Sequence, residues 1–193
     1  MTILLDAGPG LNFLAVSQQD ILIKVATRLE MALCVPERVD TEILGKAAND
    51  MRFARTSAAA TWRKLTSAGR VTVLSDDLQG ALLLELAISR ISNLSANVRV
   101  RQPKNLGEIM VIAHASVLVQ QGSDVRILMD ETDGRKLAAT ERRWLAAQQF
   151  SNTLEVWSTQ QLLRSAQGAQ LISNWERIYD RMRPFDDGLP PRT

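Results

Sequence analysis

The sequence predicts an α/β protein, a doubly wound sheet of about five mainly parallel strands with helices on both faces. Three observations lead there. Short apolar runs of strand length alternate with longer segments of helical spacing along most of the chain. Two of those runs, Ile3-Leu4-Leu5 and Val125-Arg126-Ile127-Leu128-Met129, end in a carboxylate, Asp6 and Asp130, before a glycine-containing stretch. Finally, 193 residues of which 46% are apolar can build one sizeable core but hardly two.

The elements follow in order. Thr2 to Leu5 is the first strand, and Ala7-Gly8-Pro9-Gly10 reads as a turn ahead of helical spacing at residues 11–15 and 21–29. Met31 to Val35 is a second strand. Pro36 stands where a helix begins, because the N–H it lacks is not needed in the first turn. A longer helical segment is expected from about Lys46 to Ala68, stopped by Gly69, and residues 71–74 form a third strand. Asp77 to Ile91 is helical and strongly apolar, whereas Asn93 to Lys104, broken by Pro103, is the best interior loop. A helix over 106–121 leads into the strand 125–130, then a helix from Asp133 to about Phe150 and a fifth strand at 153–157. Ser158 or Thr159 caps a helix over 160–166. One more helix, Ile172 to Met182, precedes a Pro- and Gly-rich tail expected to be loose, so the chain divides into a domain over 1–166 and a C-terminal helix and tail over 167–193.

Composition excludes more than it identifies. Basic residues exceed acidic ones by only two, 23 against 21, so net charge is a weak argument for nucleic acid. Basic side chains nevertheless gather at Arg52, Arg55, Arg63 and Lys64, and at Arg99, Arg101 and Lys104, where a phosphate backbone or plain solvent could meet them. Cys34, the one cysteine, sits in an apolar run and reads as a small buried hydrophobe. No apolar run is long enough to cross a bilayer and no signal sequence is visible, so no membrane association and a cytoplasmic location are expected.

The acids are more informative. In open α/β sheets ligands sit beyond the carboxyl ends of the strands, where helices also begin. Asp6 and Asp130 end strands, Glu42 lies on the helix after the second strand, Glu108 falls in the first turn of its helix, and Asp133 follows Asp130. Carboxylates brought together on one rim are what hard divalent cations need. Taken singly, each has another reading. Asn105-Leu106-Gly107-Glu108 fits a capping box, Asp130 and Asp133 fit a cap and first-turn acid, and Glu42 fits a solvated helix face. His114, among apolar neighbours, reads as a satisfied core histidine.

Four segments in order, Ile3-Leu4-Leu5-Asp6, Val35-Pro36-Glu37-Arg38-Val39-Asp40-Thr41-Glu42-Ile43, Leu106-Gly107-Glu108-Ile109-Met110-Val111-Ile112-Ala113 and Ile127-Leu128-Met129-Asp130-Glu131, with Gly134-Arg135-Lys136-Leu137-Ala138 after them, resemble the PIN-domain nuclease family. Within it the chain is most similar to toxin ribonucleases of bacterial toxin–antitoxin pairs, the virulence-associated protein C group. The resemblance covers roughly residues 1–166, including Glu155-Val156-Trp157-Ser158-Thr159-Gln160-Gln161-Leu162-Leu163 as the last strand and helix. It implies a PIN-like fold and a magnesium- or manganese-dependent endoribonuclease, a hydrolase of RNA phosphodiester bonds. Asp6, Glu42, Glu108 and Asp130 would be the catalytic acids, with Asp6, Glu108, Asp130 and Asp133 binding Mg2+ or Mn2+; Arg135, by its own position near the rim, reads either as a phosphate holder or as a structural ion-pair partner of an acid. Implied partners are an RNA substrate, a cognate antitoxin and a second copy of the chain as a homodimer. The competing expectation is a protein-binding module of the same fold without nuclease activity.

Overall fold

The computed structural model describes residues 1–186 and 188–191. In chain order its elements are β1 (Thr2–Leu5), α1 (Ala7–Ala15), α2 (Gln19–Arg28), β2 (Ala32–Pro36), α3 (Glu37–Asn49), α4 (Ala58–Ser67), β3 (Thr72–Leu74), α5 (Leu82–Ser92), α6 (Ala96–Arg99), α7 (Leu106–Gln120), β4 (Val125–Leu128), α8 (Thr132–Ala147), β5 (Leu154–Trp157), α9 (Thr159–Gly168), α10 (Trp175–Met182) and a 3₁₀ turn at Arg183–Phe185. The five strands pair in parallel in the order β3-β2-β1-β4-β5. The α/β class with five parallel strands is therefore as expected.

This order fixes where a site can form. From β1 the chain moves outward through β2 to β3, then crosses back to β4 beside β1 and outward again to β5. Right-handed crossovers running in opposite directions place their helices on opposite faces, and the direction reverses between β1 and β4. At that reversal the loops after the two strands part and leave a crevice. Asp6 and Asp130 stand on its two sides.

The central strands are buried on both faces, as a parallel sheet covered by helices requires: Leu4, Leu5, Val35, Ile127 and Leu128 are nearly inaccessible. Helix α7 packs on β1, β2, β4 and β5, and its apolar residues face in almost all round, from Ile109 to Val119. Its outer side meets α5 and α6 in a smaller cluster built from Leu84, Ala87, Ile88, Ala96, Leu106, Ile109, Met110 and Ala113. Between α5, α7 and α8 a polar knot is buried. Arg90 Nη2 pairs with Glu141 Oε1 at 2.5 Å, Ser116 donates to the same oxygen at 2.6 Å, and the guanidinium lies over the Trp144 ring.

Local differences from the expectation have physical causes. Gly8, Pro9 and Gly10 form no turn; they lie in the first turn of α1, where the N–H that proline lacks has no helical partner. Gly10 also lets α1 and α3 approach, since a Cβ there would lie 2.9 Å from Ile43 Cδ1. The helix expected over 46–68 is two helices, because Asp50 accepts from the Arg52 backbone N–H at 2.9 Å and turns the chain so that Phe53 enters the core. The loop expected over 93–104 contains the short α6, whose Arg99 is buried and donates to the carbonyls of Gln102 and Lys104, which makes it a loop brace. Of the two caps expected for the helix after β5, Ser158 takes the role, accepting from Gln161 N in a capping box.

Residues after 166 belong to the same core. Tyr179, Met182 and Leu189 are buried in it, Tyr179 donates its hydroxyl to Pro190 O at 2.7 Å, and Phe185 stacks on Phe53 at 5.9 Å. Where described, the tail expected to be loose is thus pinned across the domain; positions 187, 192 and 193 of that stretch lie outside the described residues.

Candidate functional site

Helices α1, α3, α7, α8 and α9 all begin on the rim where β1, β2, β4 and β5 end, directing their partially positive N-termini to one region. There a cavity of about 430 Å³ is lined by Asp6, Glu42, Glu108, Asp130, Glu131 and Asp186, with Arg38 and Lys46 as its basic residues. Of the acids proposed from sequence, Asp6, Glu42, Glu108 and Asp130 are brought together. Asp133 is not among the lining residues; its carboxylate, largely exposed, pairs with Lys136 at 2.8 Å, which holds its pKa below the usual value. Arg135 is also elsewhere, donating to Met129 O at 3.0 Å and lining a side cavity with Asp130, Ser158 and Pro190.

Each acid is held by local structure. Asp6 is the last residue before α1, only 8% exposed, and its pKa is pushed up to about 7 by burial, with Glu108 and Glu42 adding repulsion against a lowering hydrogen bond from Ala7 N–H. Glu108 escapes the capping role because Asn105 adopts a left-handed φ of 55° and its side chain caps nothing. Instead the carboxylate enters the cavity, and its Oε2 is buried without a hydrogen-bond partner. Burial first, then Glu131, Glu42 and Asp133, push its pKa up to about 6.

Two glycines make room for these carboxylates. A Cβ on Gly134 would stand 2.5 Å from Met129 Sδ and 2.9 Å from Glu108 Oε2, and one on Gly107 would stand 2.8 Å from Glu42 Oε2. The first turn of α8 closes on Glu108 because Gly134 lacks a side chain, and Gly107 leaves Glu42 room to lie against α7. Asp130 has a second duty. It accepts from Thr159 N at 2.8 Å and Thr159 Oγ1 at 2.5 Å, bracing the start of α9, while burial outweighs those bonds and raises its pKa.

Sequence reasoning missed Asp186 and Glu131. Glu131 adjoins an acid already singled out, and three acids closely spaced after a strand were a usable signal. Asp186 had none, since only the folded tail carries it to the rim, where Asn12 Nδ2 donates to its Oδ2 at 2.7 Å and Gly188 N to its Oδ1 at 2.9 Å. His114 behaves as expected: it is buried and its Nε2 lies 2.8 Å from Asp76 Oδ1.

The donor set fits a hard divalent cation in chemistry, with clustered carboxylates, raised pKa values and an orphaned buried oxygen on Glu108. In arrangement it is open. Among the described residues no three Asp, Glu, His or Cys side chains form a ready-made cage for one ion. Comparisons with protein-family models, with curated proteins and with solved structures found no match to this chain. No helix among the described residues is long and apolar enough to cross a membrane.

Proposed function

We propose that the protein is a divalent-metal-dependent endoribonuclease of the PIN-domain kind, working in the cytoplasm as the toxin of a toxin–antitoxin pair. The observation that carries this reading is the convergence of Asp6, Glu42, Glu108 and Asp130 from four separate parts of the chain into one polar cavity at the sheet's reversal point. Burial together with repulsion from neighbouring acids lifts the pKa of Asp6 and Glu108, a cost that a purely structural role for these two does not explain. Asp6, Glu108 and Asp130 would hold Mg2+ or Mn2+, with Glu42 alongside and Asp186 at the outer wall. The bound ion supplies positive charge that lowers the pKa of water and stabilises charge developing on the phosphodiester oxygens.

The chain's own residues do the remaining work. Gly107 and Gly134 fix the depth of Glu42 and Glu108, and Thr159 orients Asp130. Lys46, 2.7 Å from Glu42, offsets part of the negative charge until a cation arrives. A second reading, a protein-binding module, draws on the leucines that α5 leaves exposed, Leu82, Leu83 and Leu86. Within the nuclease reading the same surface suits an antitoxin or a second copy of the chain.

The test is cleavage of a single-stranded RNA with Mg2+ or Mn2+ and with chelator. Cleavage that requires the ion and is lost in Asp6→Asn and Asp130→Asn, with the fold intact by circular dichroism, is expected. Activity retained in both variants eliminates this chemistry, and a folded wild type that cleaves no RNA with either ion favours the binding module.

A further inference from the structure

Arg38 is the odd residue of the cavity. It is the second residue of α3, its backbone N–H is fixed by Asp76 Oδ2 at 2.6 Å, and it lines the acidic cavity as well as a neighbouring one beside Asp76. Arg38, Glu42 and Lys46 recur every fourth residue and so share one face of α3. Lys46 is occupied by Glu42. Arg38 has no such partner among the described residues: its Nε is buried without a hydrogen bond, and no ion pair joins it to the acids across the cavity. An arginine stays charged, and a buried donor left unpaired is costly, so an acceptor oxygen brought into the cavity beside Arg38 would be favoured.

The acceptor's chemistry follows from the two walls. The acids around Asp6 and Glu108 suit a cation, while a guanidinium with a free fork suits a planar pair of oxygens, as in phosphate or carboxylate. A phosphodiester satisfies both, one oxygen toward the acids' cation and another toward α3. We propose that Arg38 is a substrate-binding residue that takes a non-bridging oxygen of an RNA phosphate from the α3 side. This assignment rests on the nuclease reading, and it transfers the phosphate-holding role from Arg135, whose guanidinium is engaged with Met129 O, to the opposite wall.

The experiment is steady-state cleavage of a fluorescent single-stranded RNA by the full chain in Mn2+, comparing wild type, Arg38→Lys and Arg38→Met over a range of salt. Removing a charged hydrogen-bond donor should raise KM roughly 10- to 100-fold in Arg38→Met. Because one fewer phosphate is then neutralised by the protein, the dependence of log KM on log salt should flatten by about 0.7. Arg38→Lys should keep the salt slope and recover part of KM, because it retains charge and loses the fork. Thermal melts check that each variant is folded; should Arg38→Met not fold, an Arg38→Lys enzyme with unchanged KM overturns the assignment. If the wild type cleaves and Arg38→Met shows wild-type KM and salt slope, Arg38 does not touch the substrate. A fall in kcat alone overturns it too, since that marks an arginine acting on the acids. A wild type that cleaves no RNA removes the nuclease reading and the Arg38 assignment with it.

Discussion

Replacing Asp6 with asparagine should stabilise the protein while abolishing its activity, and the size of the gain can be worked out. The carboxyl is buried and its pKa stands at about 7 against an ordinary 3.8. Because the folded pKa is the raised one, the cost is absent below about pH 4, grows as the unfolded chain ionises first, and levels off above about pH 7. At about 1.4 kcal/mol per unit the plateau cost is about 4 kcal/mol. Asparagine keeps the shape and cannot ionise, so in chelator at pH 8 Asp6→Asn should melt higher than wild type, by up to roughly 8–16 °C in a domain of this size. The gap should close as pH falls toward 4. Mg2+ or Mn2+ should raise the wild-type melting temperature at pH 8 and leave the variant nearly unmoved. Equal melting temperatures at pH 8 in chelator would refute the reasoning, since Asp6 would then be neither desolvated nor crowded.

Other changes test neighbouring parts of the structure. Gly134→Ala should cut cleavage at least tenfold and cost about 1–3 kcal/mol, because its methyl meets Met129 Sδ and Glu108 Oε2; denaturant titration and RNA cleavage check both. Gly107→Ala meets only the mobile end of Glu42, so stability by the same titration should hold or rise by up to about 1 kcal/mol while activity falls. Arg90→Ala leaves Glu141 buried without its cation and should destabilise by about 3–5 kcal/mol, while Glu141→Gln with Arg90 intact should cost less; a double-mutant cycle in urea reads the coupling. Tyr179→Phe should lose about 1 kcal/mol with its bond to Pro190 O and make the tail more susceptible to limited proteolysis.

The sheet was legible because its information is local. Each strand is a short apolar run bounded by breakers, and β1 and β4 advertise their ends with Asp6 and Asp130. What misled was local backbone conformation that apolar spacing does not report. Asp50 interrupts a segment whose apolar spacing continues, and Asn105, an ordinary cap by its identity, takes a left-handed conformation that releases Glu108. Four acids of the cavity follow strand ends or helix starts, so topology alone predicted a common rim. Asp186 follows no such rule, and Arg38 looked like any basic residue on a helix. Their positions depend on docking of the tail and on the packing of α3, which periodicity does not encode.

The tail joins the earliest and latest parts of the polypeptide, with Asn12 of α1 gripping Asp186. Asp186 and Gly188 form part of the cavity wall, so the pocket is complete only when Phe185 and Leu189 are seated on the core. A substitution that unseats Phe185 or Leu189 therefore reaches the cavity wall through Asp186 and Gly188, far along the chain from the strands that carry Asp6 and Asp130.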